Sequence, residues 1–243
     1  MPTQLLYLQD AYLLSFESSV VEATADTVVL EATAFYPGGG GQPSDRGWLR
    51  FEDGARRPVS QVVKDGSRVL HTLEAGSAQP GSRVTGELDW ERRYALMRTH
   101  TAMHILCGVI WKRYGASVTG GNMEPLKGRM DFEFESMRQE FVREIEVLIN
   151  EEVAHARPVT TAILPRSEAF KIPDLIRTKV NLLPPGIAEV RVVEIVGLDL
   201  QADGGTHVRN TREVGPLRIT DYKSKGAINK RLVVSLEAEV PHV

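Results

Sequence analysis

The chain has 243 residues, 42% hydrophobic and 25% charged, with a net charge of −3 and a mean hydropathy of −0.19; this excludes a disordered chain, a collagen and a coiled-coil rod. No apolar run approaches the roughly 18 residues that span a bilayer, and residues 1–6, MPTQLL, lack the basic region of a secretory signal. The single cysteine, Cys107, permits no internal disulfide and fits a reducing cytoplasm.

In chain order, short runs rich in Val, Leu and Thr at 27–33, 48–51, 59–63, 68–73 and 83–88 read as strands. Turn signals separate them, including Glu52-Asp53-Gly54 and Lys64-Asp65-Gly66. Closely spaced short strands predict a small β-barrel over residues 1–90. From 91 to 114 the pattern becomes helical, with Leu96, Ala102, Met103, Leu106, Val109, Ile110 and Trp111 at helical spacing and Gly108 the one glycine. Residues 129–135 alternate as a strand, with Met130, Phe132 and Phe134 on one face. A second helix is expected over 137–156, opened by a Ser136/Gln139 capping box and ended by Pro158. Its expected stripe is Met137, Phe141, Ile145, Leu148 and Val153. Further strands are expected at 189–195, 217–222 and 231–236, so residues 91–243 read as an α+β domain.

His100 and His104 stand four apart on the first helix, hence on one face, where two imidazoles can chelate one ion. Far along the chain, Asp203-Gly204-Gly205-Thr206-His207 follows an expected strand, and Asp203 and His207 would add an oxygen and a third imidazole. Three histidines and one carboxylate suit Zn²⁺, and an open position would make the site catalytic. The competing readings are a structural zinc and a polar helix edge with no metal. Cys107 lies seven residues from His100, about 10 Å along the helix axis, so it reads as a core residue lining the cavity. His71, His155 and His242 have no partner spacing and read as structural or surface residues.

Three motifs carry a resemblance. Residues 99–106, THTAMHIL, resemble the first zinc motif of alanyl-tRNA synthetase editing domains and of the freestanding alanyl-tRNA editing proteins, the AlaX family. Residues 203–208, DGGTHV, resemble its second motif, and 35–45, FYPGGGGQPSD, resemble the glycine-rich motif of the longer forms. The resemblance implies a barrel like that of translation factors, followed by an α+β editing domain of the threonyl/alanyl-tRNA synthetase type. It implies hydrolysis of the ester of misacylated tRNA(Ala), chiefly Ser-tRNA(Ala), with Gly-tRNA(Ala) as a second substrate. It places the zinc on His100, His104 and His207; Asp203 stands where the family usually has Cys, a harder donor than thiolate. It also sets Thr119 near the amino-acid pocket, where a hydroxyl could bond the seryl side chain. The alternative for Thr119 is a turn, because Gly120-Gly121-Asn122 is turn chemistry. Gly38, Gly39, Gly40, Gly41 and Gln42 lack the Lys-Ser or Lys-Thr of a P-loop, so no nucleotide cofactor is expected. They read as a long flexible turn, or, by the resemblance, as a segment that approaches the pocket and affects serine selection.

Net charge does not favour RNA, so binding of mischarged tRNA(Ala) must come from local clusters. The candidates are Arg92, Arg93 and Arg98 around the first helix, Arg209 and Arg212 after His207, and Lys223, Lys225, Lys230 and Arg231 near the C-terminus. The expected protein is a cytoplasmic trans-editing deacylase with no membrane partner, and the chain is too short to add an aminoacylation domain. Two other classes stay open: a different zinc hydrolase on this fold, and a non-catalytic RNA-binding protein with structural zinc.

Overall fold

The computed structural model describes residues 2–238 except 75, 77, 135, 137, 179–182, 184 and 185. The chain divides into two compact units, Met1–Ala95 and Leu96–Val243.

The first unit contains β1 (Gln4–Leu5), β2 (Ser15–Ala23), β3 (Thr27–Leu30), β4 (Ala32–Thr33), β5 (Gly47–Phe51), β6 (Arg56–Asp65), β7 (Arg68–Leu73) and β8 (Arg83–Leu88). Six of these close an antiparallel barrel in the order β2-β3-β7-β6-β5-β8, while β1 and β4 form a short parallel pair. Period-2 alternation drives it: Val69, His71 and Leu73 of β7, and Val84 and Leu88 of β8, are buried while the residues next to them in sequence are more open. The expected strand over 27–33 is broken at Glu31 into β3 and β4. Sequence reading missed β2, whose buried residues are only Phe16 and Val20 among serines and glutamates, with a register shift after Val20. Inside the barrel His71 is fully buried, with Nε2 2.8 Å from Thr33 Oγ1 and Nδ1 3.3 Å from the Val28 carbonyl.

The helix α1 (Trp90–Tyr114) begins in the first unit, and its residues from Leu96 onward belong to the second. Asp89 caps it, its Oδ1 accepting from the Arg92 N–H at 3.2 Å. Every residue from 96 to 110 is buried, so this helix is enclosed on all sides, where sequence periodicity alone suggested one apolar face. Its polar side chains are satisfied locally: Arg98 donates to the Val214, Glu237 and Ala238 carbonyls.

There follow β9 (Val118–Glu124), β10 (Lys127–Glu133), α2 (Gln139–Ala154), β11 (Val159–Pro165), α3 (Arg166–Ala169), β12 (Glu189–Ile195), β13 (Asp199–Ala202), β14 (Leu217–Ser224) and β15 (Asn229–Leu236). They make two antiparallel sheets, β14-β15-β10-β9 and β11-β12-β13. The α+β class expected from sequence is the class found. Three local expectations are corrected. The residues 120–122 pair with β10 as strand, because a continuous ladder outweighs their turn propensity. The α2 helix starts at Gln139 after an extended Arg138 that makes no side-chain cap, so the Ser136 capping box does not form. Its buried stripe is Val142, Ile145, Ile149 and Val153. Leu148 stays half-buried, and Phe141 turns aside to meet Tyr114 and Phe134, with ring centroids 4.7 and 5.1 Å away. Met137, Glu135 and His242, which the sequence reading used, lie outside the described residues.

Candidate metal centre

Two elements deliver the cluster. His100 and His104 lie one turn apart on the rigid, buried part of α1, and Asp203 and His207 lie on the loop that follows β13. One ligand atom from each of the four residues lies within 4.8 Å of the others. His207 Nε2 is 3.0 Å and His100 Nε2 3.5 Å from the two oxygens of Asp203. The rings of His100 and His207 stack at 4.2 Å, and His104 stands edge-on to both at 5.1 and 4.7 Å.

The loop is fixed from behind. The Gly205 N–H donates to Asp203 Oδ2 at 2.8 Å, and Arg191 of β12 donates to the carbonyls of Asp203 and Gly205 at 3.0 and 2.9 Å. These bonds turn the Asp203 carboxylate into the cluster. On the other side, Gly108 lets the helix approach β13: a Cβ there would stand 2.9 Å from Leu198 Cγ and 3.0 Å from Asp199 Cβ.

Each histidine has a partner for a second ring position. His104 Nδ1 is 2.9 Å from Asp199 Oδ2, His207 Nδ1 is 3.1 Å from Thr101 Oγ1, and His100 bonds the Thr206 backbone. Such partners orient ligating imidazoles and fix which nitrogen carries the proton. Sequence reading missed Asp199, Thr101 and Arg191, because no spacing rule marks residues that support a ligand.

Burial pushes His100 down to about 4, against the opposing pull of the Asp203 charge. Burial, with the His100 charge added, holds His207 well below its usual range. Burial alone would raise Asp203, but the electrostatic pull of His100 and the hydrogen bond shared with His207 outweigh it and hold the carboxyl well below the usual carboxylate range. Burial also opposes a charged His104, yet its hydrogen bond to Asp199 prevails and moves it up. At neutral pH, then, His100 and His207 are neutral imidazoles beside an anionic Asp203. This donor set fits a metal ion. Tetrahedral zinc, with bonds of about 2.0–2.1 Å, needs ligand atoms about 3.3 Å apart, and the two contacts of Asp203, at 3.0 and 3.5 Å, are close to that. The cluster could therefore hold a metal ion. Cys107 is a buried core thiol, raised by burial and bonded at 3.4 Å by the Gln201 amide.

Thr119 sits exposed at a β-bulge in β9, where the register against β10 jumps, and its hydroxyl donates to Asn229 Oδ1 at 2.7 Å. The glycine run is a tight turn, not a loose one. Gly39 and Gln42 exchange backbone hydrogen bonds of 3.0 and 2.9 Å around Gly40 and Gly41, both at positive φ (57° and 90°). Of the basic residues, Lys223, Lys225, Arg209 and Arg212 are exposed. Arg92 is half-buried and donates to the Ser44 carbonyl. Arg93 is wholly buried against Asp45 and the Ala11 and Ala34 carbonyls. Lys230 is also buried, its ammonium donating to the Gly226 and Ala227 carbonyls at 2.9 and 2.7 Å. Both of these cations are bonded within the fold. Arg231 forms a bidentate pair with Asp131, 2.7 Å on each arm.

Residues 7–92 match the family model for tRNA synthetases class II (A), and 190–233 match the threonyl and alanyl tRNA synthetase second additional domain. With a closed barrel, an α+β unit and a three-histidine, one-carboxylate cluster, the molecule is of the class built around that second additional domain. The chain is 38% identical to the alanyl-tRNA editing protein AlaX-M of Saccharolobus solfataricus, over 97% of this chain and 99% of that one. It is 40% identical to the AlaX-M protein of Methanosarcina acetivorans, over 96% and 99% respectively. The alanine–tRNA ligase of Metallosphaera sedula is 38% identical over 91% of this chain, which covers 25% of the ligase. The chain belongs to the AlaX-M family of alanyl-tRNA editing proteins.

Proposed function

We propose that the protein deacylates misacylated tRNA(Ala) in trans, chiefly Ser-tRNA(Ala) and secondarily Gly-tRNA(Ala), with one Zn²⁺ held by His100, His104, Asp203 and His207. The observation that carries the reading is the convergence of these four side chains, with two of the imidazoles held neutral, in a chain that aligns end to end with AlaX-M proteins. Bound zinc would supply Lewis acidity toward an ester carbonyl or an amine. The chain's own residues do the rest. The helix holds two ligands rigidly, and the Arg191-braced loop brings in the other two.

Alanine is smaller than serine, so a pocket that excludes by size cannot spare Ala-tRNA(Ala). A polar group must favour the seryl hydroxyl. Thr119 fits that role: with its proton given to Asn229, its oxygen is left as an acceptor. A cytoplasmic site of action and recognition of tRNA through exposed Lys223, Lys225 and Arg209 belong to the same reading; no helix among the described residues is long and apolar enough to cross a membrane.

The test is a deacylation assay on Ser-, Gly- and Ala-tRNA(Ala), with and without chelator. Ser-tRNA(Ala) should be hydrolysed well above the buffer rate, Ala-tRNA(Ala) spared, and chelator should abolish the difference. Equal rates on seryl and alanyl esters would defeat the editing reading. Hydrolysis of small esters without tRNA would favour a general zinc hydrolase.

A further inference from the structure

Behind the ligand set stands a carboxylate that the proposed chemistry does not use. The Asp199 side chain is wholly buried. Its Oδ2 lies 2.9 Å from His104 Nδ1 and accepts from Gln201 Nε2 at 2.6 Å. Its Oδ1 makes no hydrogen bond and faces Arg177 Nε at 3.7 Å. That guanidinium lies over the Trp111 ring, 4.5 Å from its centroid, and the Arg177 carbonyl accepts the Val118 N–H at 3.0 Å. Gln201 also reaches Cys107 Sγ at 3.4 Å, so α1, β13 and the segment at Arg177 all converge on one carboxyl group.

We propose that Asp199 is a positioning residue for the metal centre, holding His104 as the Nδ1–H tautomer with Nε2 turned to the other three ligands. The inference rests on the metal reading above. Asp199 Oδ2 already accepts from Gln201 Nε2, so it meets His104 as an acceptor and the hydrogen bond places the proton on Nδ1. That leaves the lone pair on Nε2. The same bond fixes the ring plane, and Gln201 and Gly108 fix the carboxylate in turn: one by a hydrogen bond, the other by the room its missing Cβ leaves. Partners of this kind change metal affinity by about 10–100-fold when removed.

The experiment reads the tautomer and the metal separately. In metal-free protein carrying ¹⁵N-labelled histidine, the His104 signals are identified by their loss in His104→Gln and should report Nδ1–H. Asp199→Ala should lose that preference and bind zinc about 10–100-fold more weakly in a chelator competition. Asp199→Asn keeps the volume and an acceptor oxygen, so it should keep Nδ1–H and lose less affinity than the alanine variant. An Nε2–H tautomer in the unmodified protein overturns the proposal even if Asp199→Ala fails to fold. So does a folded Asp199→Ala that keeps Nδ1–H and binds zinc within twofold of the parent. Failure of the parent to take up zinc sinks the metal reading, and with it the positioning role; an Nδ1–H signal in that case identifies the metal reading as the part that failed.

Discussion

At the scale of single residues, Asp203 carries the sharpest expectation. Its carboxylate meets both His100 and His207 and is held anionic among them. Asp203→Ala should lose zinc and deacylation together, by more than the roughly 10–100-fold expected for a supporting partner. Asp203→Cys restores a softer donor and should keep activity while tightening zinc. Full zinc content and normal deacylation in Asp203→Ala would remove Asp203 from the ligand set. A second residue, His71, makes the barrel sensitive to acid. Burial holds it near 4 against an ordinary 6.5. Between those values the unfolded chain takes up a proton that the folded barrel refuses, so stability is whole above pH 6.5 and falls as pH drops toward 4. The loss approaches about 3 kcal/mol. In urea titrations, the parent should lose on the order of 2–3 kcal/mol more than His71→Gln between pH 7 and pH 4.5; parallel losses would show that His71 is not the cause.

At the scale of elements, the strands and helices with plain alternation or helical spacing were readable: β7, β8, β12 and α1 match the patterns that announced them. The ligands were readable for the same reason, since a four-residue interval on a helix and a Gly-rich Asp…His loop are visible in the string. What sequence could not show depends on partners distant in the chain. Asp199 has meaning only beside His104, 95 positions earlier. The polar strand β2 is a strand because β3 and β8 flank it. Arg93 looked like a surface cation because Asp45 lies 48 positions away. That pair tests the element scale. Asp45 accepts the Tyr36 N–H at 2.6 Å and the Arg93 guanidinium, so it holds the start of α1 to the glycine turn. Asp45→Ala leaves a buried guanidinium without its counter-ion and should destabilise the first unit by about 3–5 kcal/mol, read as a lowered urea midpoint; a change under about 1 kcal/mol would mean that water reaches Arg93.

For the whole molecule, a net charge of −3 makes RNA capture a matter of local charge. The β14–β15 hairpin exposes Lys223 and Lys225, while Lys230 is tied inward. Replacing Lys223 and Lys225 with alanine should weaken tRNA binding and flatten its salt dependence by about one in logarithmic slope for each ammonium–phosphate pair removed. Lys230→Ala should leave the slope alone and lower stability. An unchanged slope in the double variant would place the tRNA elsewhere.

The division of the ligands between a helix and a loop also bears on how fast an ion can leave. His100 and His104 are seated in a stretch of α1 with no exposed residue. Asp203 and His207 ride on a short segment held by the Arg191 guanidinium and by the Thr101 hydroxyl of the helix. Local openings draw on the least stable segments of a fold. A bound ion would then depend on both parts at once: His100 and His104 would hold it from the helix, and Asp203 and His207, on the loop, would govern how readily it exchanges.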